Sequence, residues 1–387
     1  MTALYSDNHD AEGLPLSHCN DLHARETLSH LPKTTTGRRR ASVAETSLDK
    51  DETLSEKVRL SQPHVARIDK ATPIEKTVLY LAYGSNLCAE TFLGKRGIRP
   101  LSQINVVVPD LQLTFDLPGL PYIEPCFAAT QYRHVAHDNL DDEDEIEGRG
   151  TDMSEKKTTH KDYQFDGPLV GVVYEVTLSD YARIIATEGG GGGYKDIVAD
   201  CYPFPQSYDP ADPVPECPAT TPFKAHTLLS PVKEGDDDTL AQYPLVRVWS
   251  SLFSRSKYPG RPHPSGYAQP SARYLNLITT GAAEHNLPLS YQTYLSQVQT
   301  YQITTVQQRI GQVIFVALWG PFMLLFLILS KAMAGPDGRS PSWVMKLNDL
   351  MLFAMWASYD NVFVKVFGDG ERTIGGQSDT AGPTPTL

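Results

Sequence analysis

A single glutamate, Glu188, stands at the mouth of five consecutive glycines, Gly189 to Gly193, with Tyr194 closing the run. Five glycines in a row have no side chain to pack, so the backbone there can lie flat against a ligand or move as a lid. A carboxylate in that position is a candidate general acid/base. About a hundred residues upstream, Tyr83-Gly84-Ser85-Asn86-Leu87 follows the apolar run Val78-Leu79-Tyr80-Leu81-Ala82. That order reads as a strand, a tight turn at Gly84, and a helix start over 88–92. Gly84 lets backbone approach a ligand closely, and Ser85 and Asn86 are residue types favoured at a helix N-terminus. Unpaired N–H groups at such a turn make a site for an anion, a carboxylate or a phosphate. Taken singly, each segment also reads as something ordinary: a strand-to-helix turn and a surface glutamate on a linker.

These two segments need a scaffold, and the chain supplies one between Lys76 and Thr300. Runs at 104–108, 111–115 and 127–130 read as strands, the first two around Pro109-Asp110. The stretch Leu169-Val170-Gly171-Val172-Val173-Tyr174-Glu175-Val176 is β-branched and apolar enough to be a strand buried on both faces. Ser179 is placed to cap a helix over 181–187 that delivers Glu188. Two inserts interrupt this region, 134–166 with its run Asp141 to Glu145 and the proline-rich 202–222. An acidic patch follows at 234–238. All are expected to be solvated, mobile loops.

Composition excludes several functions. The net charge of −12, from 34 basic and 46 acidic residues, argues against a nucleic-acid partner. Five scattered cysteines form no CxxC pair and the histidines form no HExxH, so no metal and no disulfide framework is expected. Residues 1–75 are rich in Ser, Thr, Asp, His and Lys and are expected to be disordered. Within them, Arg38-Arg39-Arg40-Ala41-Ser42 has the form of a basophilic kinase site at Ser42, or of a plain solvated basic patch. Residues 1–20 lack an early apolar core and carry Asp7, Asp10 and Glu12, so no signal peptide is read and the catalytic part is expected in the cytosol.

The C-terminal third differs. Residues 313–329 are almost wholly apolar between Arg309 and Lys331, and residues 310–330 reach the ~20 residues that a membrane span requires. Gly320-Pro321 would kink such a helix. A loop at 335–341 precedes residues 342–367, where Trp343, Leu347, Leu350, Met351 and Ala354 share a helical face. That reads as an interfacial helix, or as the second arm of a hairpin. Residues 301–367 are therefore expected to be a membrane-associated helical region, and 368–387 a disordered tail.

Together the blocks resemble the γ-glutamylcyclotransferase family. They are the Tyr-Gly-Ser-Asn-Leu turn after a strand, Gly171-Val172-Val173-Tyr174, Glu188-Gly189, Pro270-Ser271…Tyr274, and Gly281-Ala282…Leu287-Pro288…Tyr291, in the family's order over 76–301. The likeness is greatest to its longer fungal members. The resemblance implies an α+β fold, a small mixed β-barrel with flanking helices, here followed by a membrane-type helix. It implies cyclisation of a γ-glutamyl group to 5-oxoproline with release of an amino acid or amine, without a cofactor. It assigns Glu188 as general acid/base and Tyr83, Gly84, Ser85, Asn86, Leu87 and Tyr194 to the substrate. The longer glycine run puts the placing of Tyr194 in question. Two other readings compete: a cyclotransferase specific for a glutathione-derived conjugate of a secondary metabolite, and a non-catalytic, membrane-attached adaptor on the same fold.

Overall fold

The computed structural model describes residues 24–48, 54–61, 76–133, 167–188, 195–229 and 267–374. Among the described residues seven strands form: β1 (Thr77–Ala82), β2 (Ser102–Val108), β3 (Leu111–Leu120), β4 (Glu124–Tyr132), β5 (Leu169–Thr177), β6 (Lys195–Pro203) and β7 (Phe223–Leu229). The helices that accompany them include α1 (Thr36–Ala41), α2 (Leu54–Ser61), α3 (Leu178–Thr187), α4 (Ala272–Glu284), α5 (Leu289–Gln297), α6 (Val306–Met333) and α7 (Ser342–Ser358).

Five strands close into a barrel in the order β1-β5-β2-β6-β7, while β3 and β4 pair as a separate two-stranded sheet. The barrel is mixed. β5 runs antiparallel to β1 from Thr77↔Thr177 to Ala82↔Val172, and closure comes from the parallel contact Tyr80↔His226 between β1 and β7. The β1 and β5 sequences carry few polar residues because both their faces are covered; Leu79, Leu81, Val172 and Val173 have no solvent exposure. Closure matters for the site, since it fixes the C-terminal end of β1, and with it residues 83–87, against β7. The strand expectations at 104–108, 111–115, 127–130 and 169–176 all fall within β2 to β5.

Helix α3 starts earlier than the capping expectation. Thr177 is the N-cap, its Oγ1 accepting from the Asp180 N–H at 3.1 Å, and Ser179 lies inside the first turn. The last residue of β5 already has the extended backbone that a cap needs, so it takes the role.

Disorder over 1–75 does not hold for residues 24–48 and 54–61. Ala24, Leu28, Leu48, Leu54 and Val58 are buried in the same core cluster as the barrel strands. These few apolar residues suffice because they cover a surface the barrel already presents, rather than building a core of their own. Ser42 is fully buried, donates to the Arg39 carbonyl at 2.7 Å and accepts from the Lys224 N–H at 3.0 Å. Arg38 is paired with Glu45 at 2.9 Å and lies 3.4 Å from Glu175. The kinase-site pattern is thus a folded strap that hides its serine.

The proline-rich insert is also anchored. Tyr202 and Pro203 belong to β6, the Thr220 hydroxyl donates to the Pro203 carbonyl at 2.7 Å, and the Pro210 carbonyl accepts the Leu289 N–H at 2.8 Å. Its prolines lower the entropy lost on ordering, which offsets the small amount of apolar surface it buries. The insert at 134–166 and the acidic patch at 234–238 lie outside the described residues.

In the C-terminal region α6 runs as one helix through Pro321, opened by a capping box between Thr305 and Gln308. It pairs with α7, the Trp319 indole N–H donating to Ser358 Oγ at 3.0 Å. A second aromatic cluster, Tyr122, Phe315, Trp356, Tyr359 and Phe363, joins this pair to the tip of the β3–β4 hairpin. The tail expectation at 368–387 fails for its first residues. The Asp369 carboxylate accepts from the Tyr267 and Tyr359 hydroxyls, and the Gly370 carbonyl accepts the Tyr122 N–H at 2.7 Å.

Candidate active site

The turn after β1 is built from its own backbone. Ser85–Leu87 form a single 3-10 turn, closed by Leu87 N–H to the Gly84 carbonyl at 3.0 Å and Cys88 N–H to the Ser85 carbonyl at 3.2 Å. The N–H groups of Gly84, Ser85 and Asn86 precede those bonds, the position where a helical turn leaves donors unused. The turn is braced from behind by α4. A Cβ on Gly281 would come within 2.5 Å of the Leu87 backbone, so only glycine permits this approach. Leu87 itself is fully buried and faces the core.

Asn86 is the hinge of the site. Its side chain is 4% exposed, and Nδ2 donates to the Tyr80 hydroxyl at 2.8 Å and to Glu188 Oε1 at 3.0 Å. A carboxylate can only accept, which fixes which way the amide points. Oδ1 is consequently buried with no hydrogen-bond partner among the described residues. An acceptor left in that state costs about 1–3 kcal/mol unless a ligand donor or a water meets it.

Glu188 is the C-cap of α3, with its N–H bonded to Ile184 and Ile185 carbonyls, so helix geometry delivers its side chain. Arg96 meets it, Nη2 to Oε1 at 2.7 Å, with side-chain exposures of 13% and 18%. Arg96 also donates from Nη1 to the Thr187 hydroxyl. The expected helix after Cys88 is in fact a short π-helix, Glu90–Lys95, whose i−5 bond from the Arg96 N–H to the Thr91 carbonyl sets where Arg96 points. Sequence reasoning missed Arg96 for that reason.

Tyr80, Tyr83, Gly84, Ser85, Asn86, Ala128, Glu188, Leu228 and Tyr274 surround a narrow cavity of about 30 Å³. Tyr83 donates to the Leu228 carbonyl at 2.7 Å and walls it. Tyr274, in the first turn of α4 beneath the Ser271 cap, accepts from the Ala128 N–H at 3.2 Å. Burial, and secondarily the charge of Glu188, raises the hydroxyls of Tyr80 and Tyr274, so both stay protonated. The structure therefore brings Glu188, Tyr83, Gly84, Ser85 and Asn86 to one place. Leu87 stands behind them, and Tyr194 lies outside the described residues. Tyr80 could have been found from its place in the strand ahead of the turn.

Comparison with known proteins supplies the rest. The chain is 28% identical over 303 residues to the γ-glutamyl cyclotransferase gliK of Aspergillus fumigatus, covering 76% of this chain and 89% of that protein. It is 29% identical over 311 residues to the γ-glutamyl cyclotransferase aclK of Aspergillus oryzae, covering 78% and 93%. Over most of its length the chain is thus similar to γ-glutamyl cyclotransferases of fungi. Residues 305–366 match the model described as the AclK C-terminal domain. A solved structure titled as a γ-glutamyl cyclotransferase aligns at 17% identity and a TM-score of 0.35, over 59% of this chain and 92% of its own.

Proposed function

We propose that this protein is a γ-glutamylcyclotransferase that cyclises a γ-glutamyl group to 5-oxoproline, releasing an amino acid or amine, with Glu188 as the proton shuttle. The observation that carries this reading is the meeting of Glu188 with the Gly84–Asn86 turn across one polar, tyrosine-walled cavity. The α-amine of a bent glutamyl chain would attack its own side-chain carbonyl, and holding that chain bent supplies much of the acceleration. Glu188 Oε2 makes no hydrogen bond among the described residues, so it is the atom free to take the amine proton and return it to the leaving nitrogen. The unused N–H groups of Gly84, Ser85 and Asn86 are suited to the oxyanion or to the substrate carboxylate. The buried Asn86 Oδ1 is suited to the α-ammonium. The test is direct: incubate purified full-length protein with γ-glutamyl-alanine, glutathione and an S-conjugate of glutathione, and measure 5-oxoproline. Formation from any of the three supports the reading and ranks the substrates. Absence from all three, with folded protein, favours the adaptor.

A second reading concerns the C-terminal pair. Large apolar side chains of α6 that face outward include Val313, Ile314, Val316, Leu318, Phe322, Leu324, Leu325, Leu327 and Ile328. At about 100° per residue they sweep roughly 240° of the helix circumference. Only 17% of the helix's most apolar stretch is buried, against the mostly buried state of a soluble core helix. That arc is wider than a single protein groove covers, and a bilayer fits it. Both ends of α6 are tied to the catalytic part. Gln312 donates to the Tyr122 carbonyl at 2.9 Å, and past the other end Arg339 donates to the Leu48 carbonyl at 3.2 Å while Gly338 packs on Ala182. Such ties favour attachment along one membrane face over a crossing, which would put the two ends some 30 Å apart across the hydrocarbon. Flotation of full-length protein with liposomes tests attachment; protein left in the soluble fraction without detergent ends it.

A further inference from the structure

We infer that Arg96 is the positioning residue for Glu188, holding one carboxylate oxygen so that the other is presented to the cavity. The inference rests on the cyclotransferase reading and goes beyond it by naming a residue outside the Tyr-Gly-Ser-Asn-Leu and Glu-Gly segments. Two donors converge on the same atom: Arg96 Nη2 at 2.7 Å and Asn86 Nδ2 at 3.0 Å from Oε1. No described residue bonds Oε2. A carboxylate gripped at one oxygen by two donors from different directions loses its side-chain rotation, and its second oxygen acquires a fixed aim.

Glu188 needs that grip more than most residues would. It is the last residue before five glycines, which carry no side chains to pack against it. It stands at the C-cap of α3, where the helix carbonyls repel a carboxylate and favour a cation. The Arg96 guanidinium supplies the cation and bridges Glu188 to the Thr187 hydroxyl, tying the end of α3 to the π-helical turn Glu90–Lys95. Asn86, from the turn that follows β1, holds the same carboxylate oxygen. The π-helical turn Glu90–Lys95 is the device that aims Arg96, because an i−5 bond shifts the following residue around the helix relative to an α-helical one.

The role separates from substrate binding by its kinetics. A residue that orients the base lowers kcat and leaves KM nearly alone, whereas one that grips the substrate raises KM. With γ-glutamyl-alanine as the probe, Arg96→Ala is expected to lower kcat about 10- to 100-fold with KM within about twofold, and Arg96→Lys to recover part of the loss. Added guanidinium ion is expected to rescue the alanine variant in part. Wild-type kcat in Arg96→Ala, or a rise in KM at unchanged kcat, overturns the inference. A crystal structure of Arg96→Ala keeps the question separate from turnover: Glu188 in several rotamers supports positioning, and Glu188 unmoved overturns it. If the wild-type protein turns over no γ-glutamyl compound, the cyclotransferase reading fails alone, and that structure still decides the role of Arg96.

Discussion

Two carboxylates in this molecule, Glu188 and Asp196, each lie against a basic side chain, and their oxygens are occupied differently. Asp196 and His226 are both 2% exposed and sit under the N-terminal strap. Every oxygen of Asp196 is occupied: Oδ1 takes the Tyr181 hydroxyl, Oδ2 takes the Leu48 N–H at 2.6 Å, and the His226 imidazole spans both at 3.1 and 3.2 Å. The imidazole's other nitrogen lies 3.3 Å from Glu45 of the strap. Glu188 has one oxygen doubly held and no bond from a described residue to the other, and the residue lines a cavity. A saturated carboxylate is a fastening; a half-saturated one is available for proton transfer. A larger cavity, about 690 Å³, lies on the His226 side between strap and barrel, and it shares no lining residue with the Glu188 cavity. The carboxylate that lines the larger cavity is Glu45, not Asp196.

The comparison can be broken at either end. Glu188→Gln keeps the shape of the site and removes the proton acceptor, so 5-oxoproline formation is expected to fall at least about 100-fold with thermal stability unchanged. Wild-type turnover in that variant would remove Glu188 from its role. Asp196→Ala should do the reverse, costing about 3–5 kcal/mol by stranding a buried partner, with kcat of the remaining folded protein preserved. Denaturant melts and active-site titration would show this, and loss of kcat at full stability would put Asp196 in the chemistry instead.

Smaller changes sharpen the contrast. Gly281→Ala pushes a methyl into the back of the Ser85–Leu87 turn and should cost about 1–3 kcal/mol, with a rise in KM because the turn shifts. An unaltered KM would detach the turn from the substrate. The smallest expected effect concerns pH. Burial alone would lower the His226 imidazole, but its bonds to Asp196 and Glu45 prevail and raise it to about 9. A group raised on folding stabilises fully below its unfolded value of about 6.5, and that contribution is lost as pH climbs through about 9. Limited proteolysis should therefore cut residues 24–48 faster at pH 10 than at pH 6, and His226→Gln should flatten the difference. Equal cleavage at both would mean that the imidazole does not fasten the strap.

Much of the fold was legible in local sequence. The β5 run and the turn after β1 announce themselves through apolar, β-branched residues and through a glycine followed by capping residues. Glu188 was legible because five glycines beside a carboxylate have no packing purpose. The N-terminal strap was not, because its apolar residues are too sparse to form a core and become buried only against a barrel that already exists. Arg96 was hidden in a polar run, Gly94-Lys95-Arg96, of the kind that usually faces solvent. Ser42 was misleading for the same reason in reverse: a motif suited to a kinase lies folded under Lys224.

The amino-acid order by itself determined the strands, the two segments that meet at the candidate site, and the apolar character of α6, because periodicity, glycine placement and hydrophobicity act over a few neighbouring residues. Only the tertiary structure decided that Asn86 and Arg96 share one oxygen of Glu188, that Asp196 is spent on the strap, and that both ends of α6 are tied to the same body. Those facts depend on barrel closure and on a π-helical turn, which set directions between residues up to roughly a hundred or more positions apart. Directions of that kind are fixed by packing, and no short stretch of sequence contains them.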